Sequence, residues 1–83
     1  MRQAYVIIDI SNYRWRSPAF HAWAREHGVD MNEVLRIHVN EYTQTMKVYE
    51  FVRSAQGFPL TNYSTMRAAE KVREIKLMSP VPS

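Results

Sequence analysis

Val34-Leu35-Arg36-Ile37-His38-Val39-Asn40-Glu41-Tyr42-Thr43-Gln44-Thr45-Met46-Lys47-Val48-Tyr49-Glu50-Phe51-Val52-Arg53 reads as one β-hairpin with two chemically different faces. Apolar and polar residues alternate in both halves, the period-2 signature of strands buried on one side. The register follows from the chemistry. If the loop holds an even number of residues, either Tyr42-Thr43 or Glu41 to Gln44, Val39 stands opposite Met46 and Ile37 opposite Val48. Leu35, Ile37, Val39, Met46 and Val48 then share one face, and Arg36, His38, Lys47, Tyr49 and Phe51 share the other. An odd loop would flip one strand and expose half of the aliphatic side chains. The even loop is therefore expected.

Upstream, Tyr5–Ile10 is a short apolar run rich in β-branched residues and reads as a first strand, with Val6, Ile8 and Ile10 toward the core and Tyr5, Ile7 and Asp9 on the other side. Tyr13-Arg14-Trp15-Arg16 breaks the alternation and is placed on a loop. Ser17-Pro18 is a helix start, because serine caps well and proline is pre-organised for the first helical position. Phe20, Trp23, Ala24 and His27 fall on one face of the helix that follows. Gly28 is placed to end it in a left-handed conformation, with Val29 supplying the apolar contact of such an end. Asp30-Met31-Asn32-Glu33 resembles a capping box and starts either a single turn or a second helix.

Downstream, Ser54–Tyr63 carries Gly57, Pro59 and Asn62 and is expected to be a surface loop. Met66–Lys71 consists largely of helix formers, whereas Arg73-Glu74-Ile75-Lys76-Leu77 alternates like a strand. A helical or irregular start followed by a strand over about 72–78 is the reading adopted, with Pro80 and Pro82 ending regular structure. The fold class expected is α+β: a three- or four-stranded, mostly antiparallel sheet with one helix packed on one face. Residues 1–83 form one small domain, with 79–83 as a proline-containing tail. Its core is expected to hold Phe20, Trp23, Leu35, Ile37, Val39, Met46 and Val48, each contributing roughly 1.5–3 kcal/mol on burial.

Eighty-three residues are too few for two cores, and 46% hydrophobic content is enough for one. The chain has no cysteine, so disulfides and thiolate metal sites are excluded, and a reducing cytoplasm fits. No apolar run approaches the ~20 residues needed to span a bilayer. A soluble, cytoplasmic protein without membrane contact is the expectation. The net charge of +3 is a weak pointer to anionic partners.

Catalysis finds little support. His21 and His27 are six apart and lie on different sides of one helix, so they are not the i, i+4 pair that binds zinc. No Ser-His-Asp spacing stands out, and two glycines are too few for a phosphate loop. No cofactor, metal or catalytic residue is assigned. Two binding surfaces are more promising. The sheet face with Arg36, His38, Lys47, Tyr49 and Phe51, met by the loop Tyr13-Arg14-Trp15-Arg16, interleaves cations with aromatics as single-stranded nucleic acid binders do. Tyr5 and Ile7 join that face and make it too apolar for water alone, which favours a cover: a partner protein, a second copy, or the C-terminal segment. Alternatively, Phe20, Ala24, Gly28, Val34 and Ile37 occupy the first, fifth, ninth, fifteenth and eighteenth places of a helix-turn-helix, whose recognition helix would run over 31–40. His27 in an apolar place and the β-branching of Ile37 and Val39 oppose it.

Val6-Ile7-Ile8-Asp9-Ile10-Ser11-Asn12 is similar to the first strand of PIN and NYN nuclease domains, where the likeness would give Asp9 a metal-binding role. It ends after those seven residues, and the chain is too short for the parallel sheet of such enzymes. From Phe20 onward, with Trp23-Ala24-Arg25-Glu26-His27-Gly28-Val29-Asp30-Met31-Asn32-Glu33-Val34 at its centre, the chain resembles small, mostly uncharacterised proteins of actinobacterial tailed phages. They share the helix end, an alternating hairpin, a Gly-bearing loop and a final strand running into prolines. The likeness implies a phage-encoded protein in a bacterial host and an extended segment over 67–71. It implies no active site. The expected function is a non-enzymatic binding or regulatory protein acting through the basic-aromatic face on a partner protein or in a homodimer, with nucleic acid binding as the alternative.

Overall fold

The hairpin forms with the even loop. In the computed structural model, which describes residues 5–82, β2 (Val34–Asn40) and β3 (Thr45–Phe51) are joined by the four residues Glu41–Gln44. Val39 pairs with Met46 and Ile37 with Val48. The turn is held by the Asn40 side chain, which accepts from the backbone N–H of Tyr42 (3.0 Å) and of Thr43 (3.2 Å). Gln44 closes it at φ 57°.

Strand β1 (Tyr5–Asp9) pairs antiparallel with β2, and β6 (Glu70–Lys76) pairs antiparallel with β3. The sheet order is β1-β2-β3-β6, antiparallel throughout. Between β3 and β6 the chain leaves the sheet. It makes a tight loop closed at Arg53 and Pro59, then a small hairpin of β4 (Thr61–Asn62) and β5 (Arg67–Ala68). Backbone bonds from Val52 to Ala69 and from Leu60 to Val52 tie this excursion to its base. Of the helix formers Met66–Lys71, Met66 sits in the turn at φ 55°, while Arg67–Ala68 and Glu70–Lys71 are extended, because pairing with β4 and β3 satisfies their backbone groups and outweighs propensity. The strand runs over Glu70–Lys76, two residues earlier at each end than expected.

Helix α1 (Pro18–Glu26) crosses one face of the sheet. Ser17 caps it, Gly28 ends it at φ 74°, and the Val29 N–H donates to the Ala24 carbonyl at 2.9 Å. Phe20, Trp23 and Ala24 pack with Ile8, Val29, Val34, Ile37, Val39, Met46 and Val48 to form the core. Trp15, Val6, Ile75, Leu77 and Val81 close its margins.

Two expected core residues are displaced. Leu35 is only half-buried, because the pairing steps from Val34–Glu50 to Arg36–Tyr49 and leaves Leu35 as the extra residue of a bulge. That bulge turns Val34 inward instead. Ile10 lies in the turn beyond β1 and is exposed.

Charge enters the core face at one end. Glu50, opposite Val34, is 8% exposed and is met by Arg73, with Nε–Oε1 at 2.7 Å and Nη2–Oε2 at 3.2 Å. The same guanidinium donates to the Gly28 carbonyl at 3.2 Å. One ion pair therefore fastens β3, β6 and the helix end. After β6 the chain turns back over the helix. Trp23 Nε1 donates to the Ser79 carbonyl at 3.1 Å, and the Met78 N–H donates to His27 Nε2 at 2.9 Å. The His27 ring must then carry its proton on Nδ1, which donates to the Trp23 carbonyl at 2.8 Å. His27 is a tether between helix and tail, which is why a histidine suits this apolar face.

Candidate functional site: the open face of the sheet

Helix and tail both pack on one side of the sheet, so the other side carries no layer among the described residues. The pairing registers set out its rows. Tyr5, Asn40, Thr45 and Lys76 form one, Ile7, His38, Lys47 and Glu74 the next, and Asp9, Arg36, Tyr49 and Val72 the third; Phe51 and Glu70 stand at the far end. Alternation along each strand forces this partition, since neighbours point to opposite faces. Tyr5, Ile7 and Val72 remain 40%, 50% and 51% exposed. A solvated antiparallel face is ordinarily polar at such positions.

The central side chains support one another. Tyr5 Oη and His38 Nδ1 share a hydrogen bond of 2.6 Å, with their rings edge-on at 5.6 Å. The His38 ring lies 4.6 Å from that of Tyr49, and the Arg36 guanidinium sits 4.1 Å over the Tyr49 ring. Arg36 in turn donates from both Nη atoms to Glu70, each at 2.9 Å. This fork holds the guanidinium parallel to the carboxylate plane and fixes the row. Removal from water, and then the charges of Arg36 and Lys47, push His38 below the ordinary imidazole range. Beside this row, Tyr5, His38, Asn40, Thr45, Lys47 and Glu74 line a shallow depression of about 290 Å³.

Of the residues expected to bind, Arg36, His38, Lys47, Tyr49 and Phe51 do come together on this face. Tyr13, Arg14, Trp15 and Arg16 do not join them. They form a single 3-10 turn, capped by Asn12, at the end of β1. Trp15 packs on the core and its carbonyl accepts from His21 Nε2 at 2.6 Å, so its ring is unavailable as a stacking platform. Tyr13 is exposed, with the Arg14 guanidinium 5.9 Å from its ring centre. No hydrogen bond, ion pair or ring contact among the described residues links that turn to the open face.

The face is also less basic than expected. Strand β6 contributes Glu70 and Glu74, and β1 contributes Asp9, against the cations Arg36, Lys47 and Lys76. Three charges of each sign leave no net charge. Reading the alternation from 70 instead of 72 would have added Glu70 to Val72, Glu74 and Lys76 on one face of the strand. Two other readings meet the structure here. Residues 34–40 are a strand, so the second helix of a helix-turn-helix is missing. The Asp9 carboxylate is engaged by the Ser11 hydroxyl and N–H, which hold it below the usual carboxylate range, and Asn12 Oδ1 accepts from the Arg14 N–H. Among the described residues no group of three or more His, Cys, Asp or Glu is gathered where a metal would sit. Nor is any helix long and apolar enough to cross a membrane. No family model matches the chain, and no curated protein or solved structure matches it.

Proposed function

We propose that this is a non-enzymatic binding protein, of the kind small phage genes encode, whose working surface is the open face of the sheet and whose partner is a protein. One observation carries the reading. Tyr5, Ile7, Tyr49, Phe51 and Val72 share a face that the molecule's own helix and tail leave uncovered. Such a surface is costly in water and favours burial against another apolar surface. Its order supports this as well: the Tyr5–His38–Tyr49–Arg36–Glu70 row is already fixed, so little side-chain freedom is lost on docking. Balanced charge speaks against nucleic acid on this face, since phosphate contacts need a surplus of cations.

The test is retention of protein partners by the immobilised chain from the cell in which it acts, compared with Ile7→Lys/Val72→Lys. Both positions are at least half exposed, so the charges leave the fold intact. Specific retention by the native chain that the double variant loses supports the reading. Equal retention by both sinks it.

A further inference from the structure

From the layout of charge and apolar area, and resting on the reading just given, we infer that the partner of the open face is a second copy of this chain, docked face to face about a two-fold axis. A surface of one sign repels its own copy, whereas this one carries three cations and three carboxylates. Their placement along β6 is self-complementary. Glu70 stands at one end of the strand and Lys76 at the other, both on the open face. A two-fold axis crossing the strands near mid-face brings each end of β6 against the opposite end in the second copy, so that unlike charges meet. The same axis brings the Lys47 level toward the Tyr49 level, an ammonium toward an aromatic ring.

The area is sufficient. Strands about 4.8 Å apart, three of seven residues and β1 of five, at ~3.3 Å each, give a flat footprint of roughly 410 Å² per copy. Two footprints, with side-chain relief added, reach the roughly 1,000 Å² that separates specific interfaces from chance contacts. The ordered group Arg36, His38, Lys47 and Tyr49 on β2 and β3 lies at the middle of that footprint, and the outer strands β1 and β6 carry Tyr5, Ile7 and Val72 together with Asp9, Glu70, Glu74 and Lys76. The rival patch, Phe58, Leu60, Tyr63 and Met66 on the excursion between β3 and β6, is exposed too, but it lies on short loops and offers neither a flat area nor a charge pattern.

Sedimentation equilibrium of the full chain over a wide concentration range tests the assignment. The expected mass rises from the 9.8 kDa of one chain toward twice that value. Ile7→Lys, half exposed on strand β1 of the face, should return it to the single-chain mass with an unchanged circular dichroism spectrum. Lys76→Glu should weaken association about five- to tenfold, and Tyr63→Lys should leave it unchanged. A native chain that stays at 9.8 kDa up to millimolar concentration overturns the dimer. So does a dimer that Tyr63→Lys dissociates and Ile7→Lys does not. If the native chain is monomeric yet retains another protein that Ile7→Lys/Val72→Lys loses, the second copy is wrong and the open face remains the working surface. Loss of both results removes both.

Discussion

His38 sits where the chemistry of the open face is most finely balanced. Its ring is half-buried between Tyr5 and Tyr49, with Arg36 and Lys47 nearby and Glu70 opposing them only in part. Desolvation and both cations disfavour the imidazolium, so the folded protein takes up this proton at lower pH than the unfolded chain does. The His38 contribution to stability is therefore complete above the unfolded value of about 6.5 and is lost as pH falls through the lower folded value. A two-dimensional NMR titration should find His38 titrating below an unstructured histidine, and Lys47→Met should move it upward. A midpoint above 6.5 would contradict the packing of this row. The ion pair at the opposite face has an asymmetry of its own. The Glu50 side chain is 10% exposed and that of Arg73 44%, so removing the arginine strands a buried carboxylate, whereas removing the glutamate frees a guanidinium that reaches water. Arg73→Leu should cost about 2–4 kcal/mol in urea unfolding and Glu50→Leu clearly less. The hairpin sequence announced the first of these neighbourhoods, because alternation alone puts Arg36, His38, Lys47 and Tyr49 on one side. It did not announce the second. Glu50 is a polar residue on the aliphatic face, and only its long-range partner makes that burial tolerable.

Helix and hairpin were plain in the sequence for reasons that are local. Ser17-Pro18 at one end and Gly28-Val29 at the other satisfy orphan backbone groups within a few residues, and a register of period two leaves the hairpin a single way to bury its aliphatic side. The bulge at Leu35 was not plain. Two adjacent apolar residues, Val34 and Leu35, make either alignment acceptable to the strand, and the choice is made by how the chain arrives from the helix end. Strand β6 was blurred for the opposite reason. Met66–Lys71 favours a helix when considered alone, but β4 pairs with Arg67 and Ala68, and the free edge of β3 draws Glu70 and Lys71 into the sheet. The tail behaves as an element too, although it has no regular structure. It supplies Ser79 to Trp23 and Met78 to His27, and it buries Leu77 and Val81. Truncation after Leu77 should cost about 2–4 kcal/mol, from two lost hydrogen bonds and the uncovered apolar surface. Denaturant unfolding would measure it, and a red shift of tryptophan emission should accompany it. A tail that can be removed without either change would mean that the helix side is closed without it.

Over residues 5–82 the molecule is a two-layer sheet and helix, with one broad surface that none of the described residues covers and a small excursion between β3 and β6. The radius of gyration, 13.6 Å, exceeds the about 12 Å usual for a chain of this length, as a projecting excursion requires. Its electrostatics separate the readings of function. The chain's excess of +3 does not lie on the open face, where opposite charges balance. Labelled single- and double-stranded oligonucleotides should therefore show no tight binding that falls steeply with salt when anisotropy is followed at two ionic strengths. Such binding, abolished by Lys47→Ala, would displace a protein partner from that face. The return of the tail to the helix has a further consequence, which concerns the order in which the protein is made. Trp23 and Ser79, joined by one hydrogen bond, are 56 residues apart. At roughly 5–20 residues per second, synthesis of that interval takes about 3–11 s. For those seconds the helix has been made while the strand and tail that close its buried side have not. The nascent chain must wait with Trp23 and Phe20 unsheltered until residues 78–81 are made, and that segment is what commits it to the native state.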